Sequence, residues 1–125
     1  MSTHLKEDKP IFIQIAEIIE DAILSGVYAE ETQVPSITEM ALVYKINPAT
    51  ALKGVNMLVD SGLLYKKRGL GMYVAQDARM RIIGQRKEQF HHKYIKPMLA
   101  EAKSLGISHA EICQMIERGD QENGD

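Results

Sequence analysis

The 125-residue sequence holds one cysteine, Cys113, no tryptophan and only four prolines. A lone thiol cannot close an internal disulfide and is too little for a structural zinc site, so neither cross-link nor thiolate metal holds this chain together. Cys113 lies between Ile112 and Met115 in a helical pattern, which predicts a small buried hydrophobe rather than a redox sensor. No apolar run approaches the ~20 residues of a membrane span, and the opening MSTHLKEDKP lacks a signal-peptide-like apolar stretch, so a cytoplasmic protein with no membrane partner is expected. At this length one core and one smaller element fit, but not a second full-sized domain.

Catalytic and metal-binding constellations are also missing. No Ser/His/Asp or Cys/His arrangement has workable spacing, and the carboxylates are scattered over helix faces. His91 and His92 are adjacent and project about 100° apart on a helix, so they cannot readily share one ion; Glu88 and His92 stand four apart, but a site there would still need the distant His109 as a third ligand. The expectation is no enzyme, no metal and no cofactor. The fragment Gly69-Leu70-Gly71 lacks the third glycine and the following helix of a pyrophosphate-binding loop.

An excess of positive charge is absent too. The net charge is −2, whereas most DNA-binding domains are basic. The distribution is more telling than the sum. Acids gather at Glu17, Glu20, Asp21, Glu30 and Glu31, while from Ala41 to Gly71 the only acid is Asp60. That acid-poor block contains Lys45, Lys53 and the cluster Lys66-Lys67-Arg68.

What is present is a sequence of helix starts and stops. Phe12, Ile15, Ala16, Ile19, Ala22 and Ile23 form a helical stripe ended by Ser25-Gly26, and a short strand is expected at Gln33-Val34. Ser36 and Glu39 make an S-x-x-E capping box, Asn47 with Pro48 starts a second helix, and Gly62 stops it. Met40, Ala41 and Tyr44 face inward on the first, and Ala51, Val55, Leu58 and Val59 on the second. Ala49, Leu52, Lys53 and Asn56 must then point outward. Leu63 to Lys67 and Met72 to Ala75 read as strands joined by Arg68-Gly69-Leu70-Gly71. The fold class is mainly α with a small antiparallel β-hairpin: a winged helix-turn-helix followed by a short C-terminal helical dimerisation region.

The expected organisation is a flexible arm over residues 1–9, a DNA-binding domain over 10–77, a helical region over 78–118 and a disordered tail over 119–125. In the helical region Ile83, Phe90, Tyr94, Met98, Ala102 and Leu105 recur at sevens, fours and threes. Pro97 should kink or split that helix. Ser108 and Glu111 form a second capping box, flanked by Ile107 and Ile112 as a hydrophobic staple. The final helix is expected to turn Ile112, Met115 and Ile116 inward and to end near Arg118.

From Pro10 to Ala75, the phrases PIFIQIAEIIEDAILSG, VPSITEMA, INPATALKGVNMLVDSGLL and KKRGLGMYVA resemble the DNA-binding domain of the GntR family of bacterial transcriptional regulators. The short tail and the NPAT phrase are most similar to the YtrA-type subfamily. The resemblance implies a homodimeric repressor on a palindromic operator, often near genes for ABC-type transporters. It also implies arginines where this chain has Thr38, Pro48 and Leu52, so the family's usual guanine contacts lack their donors here.

In a helix-turn-helix, phosphate contacts set the register and the start of the second helix reads bases. Ser36, Thr38, Thr50 and Lys53 are candidates at the backbone, with Asn47 opening the reading helix. Ala49, Thr50 and Asn56 are candidates at base edges, where Ala49 can meet a thymine methyl and Asn56 can pair with adenine. Thr50 has the alternative role of closing the first helical turn. Lys66, Lys67 and Arg68 are candidates for the minor groove, with Gly69 allowing close approach, or else they form a solvated hairpin tip. Ile83, Phe90, Tyr94, Met98 and Leu105 are candidates for a twofold joint, the alternative being a helix packed on its own core. Two further readings stay open. One is a degenerate winged helix that binds protein partners. The other, compatible with the first, is a small-molecule effector held near Met80, Phe90, Tyr94 and Met98.

Overall fold

The computed structural model describes residues 5–122. Helix α1 spans Ile11–Ser25, α2 Ile37–Tyr44 and α3 Pro48–Asp60. Strands β1 (Leu64–Lys67) and β2 (Gly71–Val74) follow, then α4 (Ala78–Phe90), a π-helical turn (His91–Ile95), α5 (Lys96–Leu105) and α6 (His109–Glu122). The chain divides into two compact units whose boundary falls between Gly84 and Gln85.

The first unit is built around α1. Of its expected stripe Ile15, Ala16, Ile19, Ala22 and Ile23 are buried and Phe12 is half-buried; Ile15, Ala16, Ile19 and Ile23 pack with Val34, Met40, Val55, Leu58, Leu63, Leu64 and Val74 in one core. The closest approach is at Gly54 of α3. A Cβ there would stand 2.6 Å from the Phe12 backbone oxygen and 3.0 Å from Ile15, so only glycine lets the two helices meet at this separation. Gly62, at φ 80°, closes α3. The left-handed turn brings the Leu63 N–H back to the Leu58 carbonyl at 2.9 Å and sends the chain into β1.

β1 and β2 are antiparallel, with Leu64 opposite Val74 and Lys67 opposite Gly71. The segment before α2 runs along the other edge of β2: Val34 N–H donates to the Met72 carbonyl and Val74 N–H to the Thr32 carbonyl, both at 3.0 Å. The short strand expected at Gln33-Val34 is thus a single bridge, Gln33 to Tyr73.

Three boundaries differ from expectation. Residues 6 and 9, in the expected flexible arm, bond to α1. The buried Gln14 amide donates to the Lys6 and Lys9 carbonyls at 2.6 and 2.8 Å and accepts from the Lys6 N–H, and Lys9 pairs with Glu17 at 3.1 Å. Residues 1–4 of that arm lie outside the described residues. The first unit also extends past residue 77, because Ala78 and Ile82 are fully buried in its core. Arg79 and Arg81 reinforce this: they donate to the Leu24 and Ser61 carbonyls at the C-terminal ends of α1 and α3, where free carbonyls and the helix dipole favour a cation. Finally, α6 continues through Gly119 to Glu122, where a disordered tail from 119 is expected; residues 123–125 of that tail lie outside the described residues.

In the second unit Pro97 acts one turn earlier than a simple kink. Lacking an N–H, it cannot continue the α ladder, and the preceding turn widens so that Lys96 N–H reaches the His91 carbonyl. The Ser108/Glu111 capping box forms, with the Glu111 N–H donating to Ser108 Oγ at 3.2 Å, and Ile112 is buried. Met115 and Ile116 are not inward: they are 47% and 55% exposed. Cys113, expected to be buried, is exposed; among the described residues this small unit encloses Ala102 and Ile112. Among the described residues no helix is long and apolar enough to cross a membrane.

Candidate nucleic-acid interface

The two helix starts form as their cap residues dictate. Ser36 Oγ accepts from Glu39 N–H at 3.1 Å while Ser36 N–H donates to Glu39 Oε1 at 3.2 Å. Asn47 Oδ1 accepts from Ala49 N–H at 2.8 Å, and Pro48, without an N–H, fits the first helical position. Between the helices Lys45 takes the left-handed conformation, φ 55°, and the Ile46 N–H donates to the Ala41 carbonyl. The turn is therefore only three residues long, from Lys45 to Asn47.

Tertiary structure brings the outward set together. Ala49, Leu52, Lys53, Asn56, Met57 and Asp60 line one open depression of about 380 Å³ along α3. Ala51, Gly54, Val55 and Leu58 are buried on its other side. Ser36, Thr38, Asn47, Ala49, Lys53 and Asn56 are exposed. Thr50 is half-buried, and its N–H donates to the Asn47 carbonyl at 2.9 Å, consistent with its alternative role in the first turn.

At the wing, Lys66, Arg68 and Gly69 are exposed. The turn is closed by Leu70 N–H to the Lys67 carbonyl at 2.9 Å. Gly69 has φ 78°, and Gly71, at φ 115°, lies so near Gln33 that a Cβ would meet its amide nitrogen at 2.6 Å. Gln33 uses that amide to donate to the Leu70 carbonyl, bracing the tip. The three cations are not equivalent. Lys66 shares the core-side face with Leu64, whereas Lys67 turns to the opposite face, its ammonium 4.1 Å from the Tyr73 ring centroid. On that outer face Tyr65 donates to Glu31 Oε2 at 2.6 Å. This hydrogen bond, then slight burial and the carboxylate charge, raises the Tyr65 pKa above the ordinary tyrosine value.

Lys53 is held in the same way as Lys67, its Nζ 4.1 Å from the Phe12 ring centroid. Phe12, Tyr73 and Gln33 are thus supporting residues that the sequence pattern does not single out. Phe12 falls on the α1 stripe, and only the crossing of α1 and α3 at Gly54 sets it beside Lys53.

The candidate joint residues are distributed over both units. Ile83 is half-buried at the end of the first. In the second, Phe90, Tyr94 and Leu105 are 55%, 53% and 64% exposed, and Met98 is half-buried. The Phe90 and Tyr94 rings lie with their centroids 5.4 Å apart. Among the described residues no group of three or more His, Cys, Asp or Glu could hold a metal ion.

The family model for bacterial regulatory proteins of the gntR family matches residues 13–74, from α1 through β2. A solved protein of the GntR family from Bacteroides thetaiotaomicron is 37% identical, with a TM-score of 0.76 over 90% of this chain and 98% of that one. The transcriptional repressor YtrA of Bacillus subtilis (strain 168) is 23% identical over 111 residues, 89% of this chain and 85% of YtrA. The AraR DNA-binding domain, solved in complex with operator ORX1, is 29% identical over 60% of this chain and 92% of that one, with a TM-score of 0.53. A winged helix-turn-helix with a 37%-identical relative matched almost end to end leaves one assignment: the chain belongs to the GntR family and is a DNA-binding transcriptional regulator, not an enzyme.

Proposed function

We propose that this regulator is a repressor that acts as a homodimer on a palindromic operator, with α3 in the major groove and the β1–β2 wing along the neighbouring backbone. The observation that carries the reading is the outward face of α3, which the rest of its unit leaves open while burying the opposite face. Ser36 and Thr38 at the start of α2, and Asn47 with Thr50 at the start of α3, would meet phosphates, where free N–H groups and the helix dipole favour an anion. Lys53, Lys66 and Arg68 would add charge, with Gly69 admitting the backbone, and Ala49 and Asn56 would face base edges. Lys67, held over Tyr73, would contribute from the wing's outer side. AraR, whose DNA-binding domain was solved in complex with an operator, supports operator binding, and the repressor YtrA supports the sign of regulation.

Pairing is supported by Phe90, Tyr94 and Leu105, apolar side chains more than half exposed in the second unit. One wing-helix module makes too few contacts for useful selectivity, and two copies in twofold register would supply them. A transporter operon, implied by the resemblance to the YtrA type, is the first gene set to search for the operator.

The test is selection of duplexes from a random pool, followed by titration at several salt concentrations with the wild type, Lys53→Ala and Lys66→Ala/Arg68→Ala. Each lost phosphate contact should flatten the slope of log affinity against log salt by about 0.9. Indifference of the wild type to duplex sequence, as expected of a protein-binding module, would overturn the reading. So would unchanged slopes in both variants.

A further inference from the structure

We infer that the α3 face selects half-sites rich in A·T pairs, seating thymine C5-methyl groups against Ala49 and Leu52 and reserving Asn56 for an adenine edge. This deepens the proposed major-groove reading and rests on it. From Ile37 to Asp60 there is no arginine. Neither α2 nor α3 can therefore present the bidentate guanidinium that most often reads guanine. Lysine is the other guanine reader, and Lys53 is the only one on α3. Its ammonium is engaged 4.1 Å from the Phe12 ring centroid, a contact it must give up before it reaches a base.

Apart from Asn56 and Asp60, the groups left on the face are apolar. Leu52 is 42% and Met57 39% exposed, on the same depression as Ala49 and Asn56. The thymine methyl is the apolar group that base edges offer in the major groove, so it is what can take Leu52 and Ala49 out of water. Selection works in the negative direction too. A guanine or cytosine edge pressed against Leu52 loses its water partners and gains no hydrogen bond, a penalty a methyl does not carry. Asn56, one helical turn beyond Leu52, has the donor and acceptor that adenine N7 and N6 require. Asp60, at the far end of the depression, accepts hydrogen bonds only and repels phosphate.

The test starts from duplexes that the intact protein selects out of a random pool. The tightest is remade with deoxyuridine for thymine, one position at a time, which deletes a methyl and leaves base pairing unchanged. The selected half-sites should be A·T or T·A beneath α3. At one or more positions deoxyuridine should weaken binding about fourfold, the value of one buried methyl-sized group. In Leu52→Ala, a half-exposed position where the fold should persist by circular dichroism, that penalty should vanish at the position facing Leu52. Three results would each overturn the inference: G·C pairs beneath α3, no deoxyuridine effect in the wild type, or the full set of penalties kept in Leu52→Ala. G·C-rich selection would sink this inference alone, while a pool with no enriched duplex would remove the underlying major-groove reading as well.

Discussion

In the unit that ends at Gly84, Ile15, Ile23, Leu63, Leu64 and Ile82 are at most 1% exposed, whereas in the unit that begins at Gln85, Phe90, Tyr94, Leu105 and Ile116 are all more than half exposed. The first unit has enough elements to cover its own stripe: α2, α3, the hairpin and the start of α4 close around α1. Among its described residues the second has helices only, and encloses little beyond Ala102 and Ile112. Small units cannot bury a full core by themselves. Exposed apolar side chains occur in both units, Leu42 and Met80 of the first among them, so the lesson lies in what is enclosed: one region buries a core of its own, while the other buries little, and its Phe90, Tyr94 and Leu105 are what the proposed second copy would cover.

The sharpest way to break this contrast is truncation at two places. A chain ending at residue 84 should unfold cooperatively and sediment as a monomer with weakened operator binding. One ending at residue 77 loses Ala78, Ile82 and the Arg79 and Arg81 contacts, and should be about 2–5 kcal/mol less stable by denaturant titration, the range for emptying a large core site. Equal stability of the two would mean that α4 does not complete the first core.

Gly54→Ala probes the tightest packing in the first unit. Its Cβ must displace the α1 backbone, so a loss of about 1–3 kcal/mol is expected. Gly119→Ala, in α6 with nothing within 4 Å, should instead gain up to about 1 kcal/mol from helix propensity. A penalty at Gly119 would show that the second unit is more closely covered there than its exposed apolar residues indicate.

Phe90→Ala and Tyr94→Ala should leave the melting of the first unit in place while weakening self-association by roughly tenfold or more each, the effect of truncating a central aromatic. Sedimentation over a concentration series reads this directly, and an unchanged dimer would move the joint elsewhere. The smallest effect is local. Ser36→Ala removes one capping partner and should destabilise by about 1 kcal/mol. Thermal melts distinguish that loss from any drop in DNA affinity, because the folded fraction at working temperature hardly changes.

Local chemistry decided much of this protein from its sequence. Helix starts at Ser36 and Asn47, the stop at Gly62, the glycine-rich wing turn and the buried faces of α1 and α3 depend on side chains within a few residues of one another. Capping and periodicity therefore suffice to predict them. The outward set Ala49, Leu52, Lys53 and Asn56 follows from the same periodicity once the buried face is known. Contacts between residues distant in the chain were decided only by the tertiary structure. They include Phe12 beneath Lys53, Tyr73 beneath Lys67, the α1 backbone against Gly54, Gln33 bracing the wing, and Arg79 and Arg81 fastening α4 to the ends of α1 and α3. Each joins residues brought together by packing rather than spacing, so no window along the chain contains both partners. The same holds for the boundary at Gly84: a helix crosses it without a break in its pattern, and only burial tells which of its turns belongs to the core.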